Sequence, residues 1–157
     1  MAAPTPTARG TPAGIKLWDG HSTKITFASN TTISLWEKGV KPPGLDGGTP
    51  IETTTMHNST MRTMAPRSLK TLTDSVTKCA YDPNLINLLY SQVNVRDTIT
   101  VTFSDGSTLA FFGYLQKFEP DELQEGTFPT ASVTITPTNT DSSGAEQAPV
   151  LTSVAGT

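Results

Sequence analysis

The feature that most constrains this fold is a regular alternation of apolar residues with threonine or serine in short segments. In residues 98–103 and 130–136, every second residue is apolar and the residues between carry hydroxyl groups. Successive side chains of a β-strand point to opposite faces, so these segments form strands with one apolar and one polar face. Threonine, present at 28 positions, is β-branched and favours strands over helices. The sequence therefore predicts an all-β fold.

The length of 157 residues suits one domain with its own core. The strand signals fall between residues 14 and 138, and we predict a single β-sandwich domain there. Residues 1–13 and 139–157 are rich in Pro, Thr, Ala, Ser and Gly and cannot bury enough apolar surface to become ordered alone. We therefore expect a flexible N-terminal arm at 1–13 and a flexible C-terminal tail at 139–157.

Two segments depart from the strand pattern. Residues 83–93 form a leucine-rich stripe, with Asp82 placed to cap a helix and Pro83 at its first position, so one helix is predicted to flank the sheet. Residues 40–60 are rich in Pro, Gly and Thr and lack a core pattern. A connection of this length is unusual where about 4–6 residues is typical. This long β–β loop is therefore predicted to be either mobile or used by a partner.

The clearest local structure is a hairpin around Asp105-Gly106. This pair predicts a two-residue type I′ turn, which would set Phe103 opposite Thr108. A three-residue loop with a bulge would shift the pairing by one residue and remains open. The returning strand, 109–115, is apolar on both faces, so its second face needs cover from the helix or from a neighbouring subunit.

Composition excludes several functional classes. The net charge of −3 argues against a surface that grips nucleic acid, because affinity for phosphates comes mainly from Lys and Arg. A single cysteine, Cys79, forms neither an intramolecular disulfide nor a cysteine-rich metal site. No apolar run approaches the length of about 18 residues that a membrane-spanning helix needs.

Candidate chemical groups are sparse. His21 and His57 are far apart in sequence, and each lacks a second ligand at metal-binding spacing. The densest carboxylates lie between Glu119 and Glu125, where they could model a glycosidase pair or a calcium site. A solvated acidic turn between strands is the favoured interpretation. We therefore predict no enzyme activity, no catalytic residue, no metal and no cofactor.

The order of several segments resembles a known family. The run from Phe103 to Pro120, with its continuation through 121–139, is similar to the signature stretch of the major tail tube proteins of long, non-contractile, siphophage-type bacteriophage tails. Residues 45–55 fit that family's long connecting loop. Tyr81-Asp82-Pro83, followed by the leucine-rich helix, also matches. The resemblance covers about residues 14–139.

This resemblance implies a β-sandwich, with one flanking helix, that joins its neighbours to form a barrel. Six copies would form a ring, and stacked rings would form the hollow tube through which the genome reaches the host. The implied partners are other copies of the chain, the tail terminator, baseplate and tape measure proteins, and genomic DNA in transit without tight binding. The implied location is the phage tail of the virion, after synthesis in the host cytoplasm and with no membrane contact.

Three groups of residues are candidates for roles in such an assembly, and we expect the bore lining to be hydroxyl-rich and neutral to acidic. The candidate ring-to-ring contact loop contains Lys41, Pro42, Pro43, Leu45, Asp46, Pro50 and Ile51. The candidate lumen-facing polar positions are Thr98, Thr100, Thr102, Thr130, Ser132 and Thr134. The apolar strand that needs cover from the helix or a neighbour contains Leu109, Phe111, Phe112 and Tyr114.

Other functions stay open at this point. A monomeric adhesion or carbohydrate-binding sandwich would need exposed aromatic residues, for which Trp18, Trp36 and Tyr90 are candidates. A hydrolase would use the carboxylates between Glu119 and Glu125. A related tail protein that forms a single ring, such as a terminator or baseplate component, would share the fold but would not form long polymers.

Overall fold

A computed structural model describes residues 20–152 of the chain. The predicted N-terminal arm, residues 14–19 and the last five residues of the predicted tail lie outside the described residues. The described part contains eleven strands and one helix: β1 Lys24–Phe27, β2 Glu37–Lys41, β3 Leu45–Asp46, β4 Ile51–Glu52, β5 Met64–Ala65, β6 Thr71–Leu72, β7 Ser75–Ala80, α1 Leu85–Tyr90, β8 Arg96–Thr102, β9 Thr108–Pro120, β10 Thr130–Pro137 and β11 Val150–Thr152.

Seven of these strands form one antiparallel sheet that curls into a half-barrel. The strand order is β1-β8-β9-β10-β7-β2, and β11 pairs with the start of β9. The prediction of an all-β fold with one flanking helix is confirmed. The helix, at Leu85–Tyr90, is shorter than the predicted 83–93.

The core lies on the concave face of the curled sheet. Strands β8, from Thr98 onward, and β10 alternate strictly between buried and more exposed positions, as their apolar and hydroxyl residues require. In β7 the order is reversed, because Ser75 and Thr77 are buried and Val76 is exposed. Ile99, Val133 and Ile135 are completely buried. Helix α1 packs onto the same face through Leu85 and Leu89. Burial of these side chains away from water is the main force that holds the curl.

The turn between β8 and β9 differs from the predicted two-residue type. The observed pairs, such as Thr102 with Thr108 and Ile99 with Phe111, are shifted by one residue. The Phe103 N–H donates to the Ser107 carbonyl at 2.9 Å, which leaves a three-residue loop. Gly106 has φ +89°, the left-handed conformation that closes a loop of this type. The prediction of a two-residue turn was wrong because the Asp-Gly pair also fits a three-residue loop with a bulge, in which Gly106 takes the left-handed conformation.

Strand β9 is the longest element and joins two regions of the sheet. Its first half pairs with β8, its second half pairs with β10, and a bulge at Gln116 separates two registers of the β10 pairing. The close approach of β9 to β10 requires glycine at position 113. A Cβ there would lie 2.6 Å from the carbonyl oxygen of Thr136. The chain can therefore form this junction only without a side chain at that point.

Residues 42–74 leave the main sheet as a long two-stranded ribbon, hereafter the projecting hairpin. Strand β3 pairs with β6 and β4 pairs with β5, so the ribbon continues the antiparallel pairing of β2 with β7. Of the described residues, none from 44 to 71 is buried. The segment 40–60, predicted as a long loop, is thus mostly one leg of a hairpin. The other leg follows it directly in sequence.

The described part of the predicted C-terminal tail, residues 139–152, contains a tight turn and strand β11, and its flexibility stays a prediction. Asp141 accepts hydrogen bonds from the backbone N–H groups of Ser143 and Ala145, which closes a tight turn. The chain then adds β11 to the edge of β9, with Leu151 opposite Leu109. Backbone pairing, rather than burial of apolar side chains, holds this segment, so its composition gave no strand signal.

Candidate functional site

The outward, convex face of the curled sheet carries the hydroxyl groups that the sequence analysis singled out. On each of strands β8 and β10 the buried positions alternate with these residues, so all of them project away from the core. Strand β9 lies between the two strands and brings their hydroxyl groups onto one continuous surface. We call this surface the hydroxyl face; it contains Thr98, Thr100, Thr102, Thr130, Ser132 and Thr134.

The apolar strand β9 divides its side chains between the two faces of the sheet. Leu109 and Phe111 lie on the concave side with the core, and Phe111 is buried. Phe112 and Tyr114 lie on the hydroxyl face, half-buried, beside Thr98 and Arg96 respectively. Helix α1 covers the concave side, and no described element packs over the convex side.

Two ion pairs lie on the hydroxyl face where β7, β9 and β10 meet. Lys78 pairs with Asp121, and Lys117 Nζ lies 2.9 Å from a carboxylate oxygen of Glu119. The Thr130 hydroxyl also donates to Asp121, at 2.6 Å. The hydrogen bonds from Lys78 and then Thr130 hold the pKa of Asp121 below its usual value.

The margins of the same face are basic. Lys24 on β1, Lys41 on β2 and Arg96 at the start of β8 project outward, and within residues 20–152 they make no ion pair. The neutral-to-acidic bore lining stays a prediction; the hydroxyl face itself is neutral in its hydroxyl-rich centre and basic at its margins. The net charge of the chain does not reveal these basic margins, because many of its carboxylates lie on other surfaces. Examples are Glu52 on the projecting hairpin and Glu122 after β9.

The projecting hairpin exposes an unusual amount of apolar surface. Of the fifteen large apolar side chains that are exposed in the described residues, six belong to it. Clustered exposed apolar residues in a polar ribbon are typical of an interaction surface. These residues are Leu45, Ile51, Met56, Met61, Met64 and Leu69.

The predicted ring-contact loop divides between the base and the shaft of this hairpin. Pro43 is buried and Pro42 is half-buried at the base, whereas Lys41 belongs to β2. Further along, the side chains of the loop are exposed: Leu45, Asp46, Pro50 and Ile51. The sequence analysis missed the second leg, residues 60–74, which contributes half of the exposed apolar residues.

The base of the hairpin is fixed by side-chain hydrogen bonds that the sequence analysis did not identify. Asn139 Oδ1 accepts the Leu72 N–H at 3.1 Å, and Asn139 Nδ2 donates to the Thr71 hydroxyl at 2.8 Å. The Thr73 hydroxyl accepts the Gly44 N–H at 2.8 Å on the other leg. Asn139 has φ +60°, a left-handed conformation that asparagine tolerates better than most residues, but the sequence does not show that it adopts it.

Groups that could carry chemistry are dispersed. Among residues 20–152, no three His, Cys, Asp or Glu side chains come together as a metal site would require. His57 lies near the tip of the projecting hairpin, whereas His21 lies in the turn before β1. Burial raises the pKa of the Cys79 thiol, which disfavours the reactive thiolate. Within residues 20–152, no helix has the length and apolar character needed to cross a membrane.

These features define an all-β protein with a curled half-barrel sheet, one flanking helix and a projecting hairpin. The sequence matches no family model and no curated protein. Among solved structures, it is similar to a chain in the cryo-EM structure of the anti-feeding prophage baseplate, symmetrised six-fold. The two chains are 7% identical, the TM-score is 0.54, and the match covers 85% of this chain and 92% of that chain. At this identity the likeness establishes the fold.

Proposed function

We propose that this protein is a structural subunit of a bacteriophage-type tail, in which six copies form a ring and stacked rings form a hollow tube for the genome. The observation that carries this proposal is the hydroxyl face. The concave side of the curled sheet is apolar and packed, and the convex side is broad and rich in hydroxyl groups. The convex side is therefore suited to line a polar channel.

The chemistry of the hydroxyl face suits transit of DNA without adhesion. Threonine and serine hydroxyls stay hydrated, and they carry no charge that would neutralise a phosphate and release its counterions. Tight binding would need many lysine or arginine contacts with the backbone. In the centre of this face, Lys78 and Lys117 are each paired with a carboxylate, which reduces their attraction for phosphates.

The basic margins suit contacts between neighbouring subunits. Lys24 and Lys41 lie on the two terminal strands of the main sheet, and the exposed carboxylate of Asp46 lies on the projecting hairpin, where Glu52 already lies 3.9 Å from Arg62. Opposite charges on different elements of one subunit provide a surface that can pair with an identical copy. Such charge complementarity favours one register of association over others.

The projecting hairpin is the proposed contact between rings. Its exposed methionines adapt to irregular surfaces and provide apolar area that a lone subunit leaves in water. A ribbon anchored at its base by Asn139 keeps its direction while its tip stays accessible. The hairpin would therefore reach beyond its own ring and bury its apolar side chains on the next one.

The fold likeness is compatible with this proposal. The similar chain belongs to a prophage baseplate symmetrised six-fold, so a subunit with this fold occurs in a six-fold baseplate assembly. The same likeness is also compatible with a second candidate, a related tail protein that forms one ring and no tube. The two candidates share the fold and differ in whether rings stack.

Electron microscopy of the purified chain separates these candidates. Negative-stain images of concentrated protein, with light scattering over a dilution series, should show six-membered rings that stack into tubes with an open bore. Single rings that do not stack at any concentration would support the baseplate-type or terminator-type candidate. A stable monomer at every concentration would contradict both.

A further inference from the structure

The methionines of the described chain are confined to the projecting hairpin. The sequence has four methionines, of which Met1 lies outside the described residues. Met56, Met61 and Met64 all belong to the hairpin and are 100%, 73% and 56% exposed. Methionine is one of the residue types most often buried in folded proteins, yet the core that the described residues form contains none. The thioether groups of residues 20–152 are thus concentrated on one exposed ribbon.

Hydrogen bonds hold the tip of the hairpin without any help from these side chains. Asn58 Oδ1 accepts the Thr55 N–H at 2.9 Å, and Asn58 Nδ2 donates to the Met61 carbonyl at 2.8 Å. The Asn58 N–H donates in turn to the Thr55 carbonyl at 3.1 Å. Met56 lies within this turn, and Met64 lies further down the ribbon on β5. A chemical change at any of the three sulfur atoms therefore leaves the bonds of the tip in place.

The other oxidisable sulfur of the described chain is protected. Cys79 lies on β7 in the centre of the sheet and is completely buried. Oxidation of cysteine begins with the thiolate, and burial raises the pKa of this thiol. An oxidant in the solvent thus reaches the thioethers of the projecting hairpin before it reaches the core.

We propose that the projecting hairpin is a site of reversible methionine oxidation, at which a peroxide converts its exposed thioethers to sulfoxides. A lone pair of the methionine Sδ attacks one oxygen of hydrogen peroxide, the O–O bond breaks, an S–O bond forms, and water leaves. The sulfur is oxidised and the peroxide is reduced. A reductase supplied with thiols would reverse the step, releasing the oxygen as water and oxidising the thiols to a disulfide.

Oxidation would change what the hairpin can contact. A sulfoxide is polar and accepts strong hydrogen bonds from water, so burying it in an apolar contact without a partner is costly. This consequence rests on the proposed function, in which the hairpin buries its apolar side chains on the next ring. Oxidised subunits should then keep their fold and their rings but stack poorly. The hairpin would make stacking sensitive to the oxidation state of the surroundings.

Peptide mapping by mass spectrometry tests the modification on the full chain, diluted until it is unassembled. Hydrogen peroxide should add one oxygen to each of Met56, Met61 and Met64, at rates within about tenfold of those in the chain unfolded in urea. Cys79 should stay unmodified, and the thermal unfolding followed by circular dichroism should not change. Protection of any of the three methionines by more than about tenfold, or oxidation of Cys79 at a similar rate, would overturn the proposal.

Reduction of the oxidised chain tests reversibility. Methionine sulfoxide reductases of both stereochemical types, supplied with dithiothreitol, should remove the added oxygens from the folded chain. The chain unfolded before reduction is the control for the activity of the reductases. Oxygens that stay on the folded chain but are removed from the unfolded chain would contradict reversibility at this site.

Electron microscopy before and after peroxide treatment tests the effect on stacking. The wild-type chain should form tubes before treatment, few or none after it, and tubes again after reduction. The matched variant, in which all three hairpin methionines are replaced by leucine (Met56→Leu, Met61→Leu and Met64→Leu), keeps the apolar area without the sulfur atoms. It should form tubes both before and after treatment.

The outcomes separate this inference from the proposed function. Stacking of the wild-type chain that survives complete oxidation of the hairpin would overturn the inferred switch, and so would equal loss of stacking in the leucine variant. Failure of the untreated wild-type chain to form tubes at any concentration would instead contradict the proposed function. The oxidation rates and their reversal would still decide whether the hairpin is the modified site.

Discussion

Asn139 and Thr71 are joined by a 2.8 Å hydrogen bond from the asparagine Nδ2 to the threonine hydroxyl, although they lie 68 positions apart in sequence. The same asparagine accepts the Leu72 N–H through Oδ1. Together these bonds tie the segment after β10 to the base of the projecting hairpin. The direction of the hairpin therefore depends on a residue outside it.

Replacing Asn139 should loosen the hairpin without unfolding the sheet. Asn139→Gly keeps the left-handed backbone but removes both bonds, and each bond contributes about 0.5–1.5 kcal/mol to stability. Hydrogen exchange at Leu72 should become faster, while exchange at Val133 in the core stays unchanged. Asn139→Ala should cost more than Asn139→Gly, because alanine is strained at φ +60°. Unchanged exchange at Leu72 in both variants would show that the bonds do not hold the base.

Gly113→Ala should destabilise the junction of β9 with β10. The new Cβ would lie 2.6 Å from the Thr136 carbonyl oxygen, a backbone atom that cannot move without breaking the strand pairing. We expect a loss of about 1–3 kcal/mol in the free energy of unfolding, as for other overpacked positions. Gly39→Ala is the control, since a Cβ there meets nothing within 4 Å. Denaturant midpoints of the two variants should differ clearly; equal midpoints would contradict the close approach.

The residues that were predictable from sequence are those whose burial alternates along a strand. Residues 98–102 and 130–136 show the pattern because one face meets the core, and the same rule correctly indicated the faces of both strands. Between residues 44 and 71 the projecting hairpin follows no such rule, since neither of its faces is buried. Its pairing depends on backbone bonds and on contacts such as that between the Thr53 and Thr63 hydroxyls. A chain without a buried face carries no periodic signal.

Removing the projecting hairpin should abolish stacking and spare the fold. The segment 40–60 alone is the wrong deletion, because it would cut into β2 and leave the second leg unpaired. Replacement of residues 47–70 with a short Gly-Asn turn removes both legs beyond β3 and β6. The core contains none of these residues, so cooperative unfolding should persist.

The readout for this deletion is electron microscopy beside circular dichroism. We expect a folded protein that forms rings or monomers and no tubes. A matched variant, Met56→Ser with Met61→Ser, keeps the ribbon but removes two exposed apolar side chains, and it should weaken stacking. Tubes of normal length from the deleted chain would exclude the hairpin as the contact between rings.

Acid should lower the free energy of unfolding by protonating Asp121 on the hydroxyl face. Its pKa is lowered in the folded chain, chiefly by the hydrogen bond from Lys78, so the folded state binds this proton less readily than the unfolded state. The stabilising contribution is therefore complete above the ordinary value of 3.8 and is lost as pH falls through the lowered folded pKa. Asp121→Asn should flatten the part of the stability curve below pH 3.8. Parallel curves for the two proteins in urea titrations would contradict the role of this carboxylate.

Adding positive charge to the hydroxyl face should turn a surface that releases DNA into one that holds it. Thr100→Lys and Thr134→Lys place ammonium groups on β8 and β10, on either side of β9. Each phosphate contact made by an added lysine should steepen the dependence of log affinity on log salt by about 1. The control Asn87→Lys puts the same charge on an exposed position of helix α1, on the other side of the sheet from this face. If the hydroxyl face lines the bore, assembled tubes of the double variant should retain short duplex DNA at low salt, and tubes of the control should not. Equal retention by both would mean that the hydroxyl face is not the surface that meets DNA.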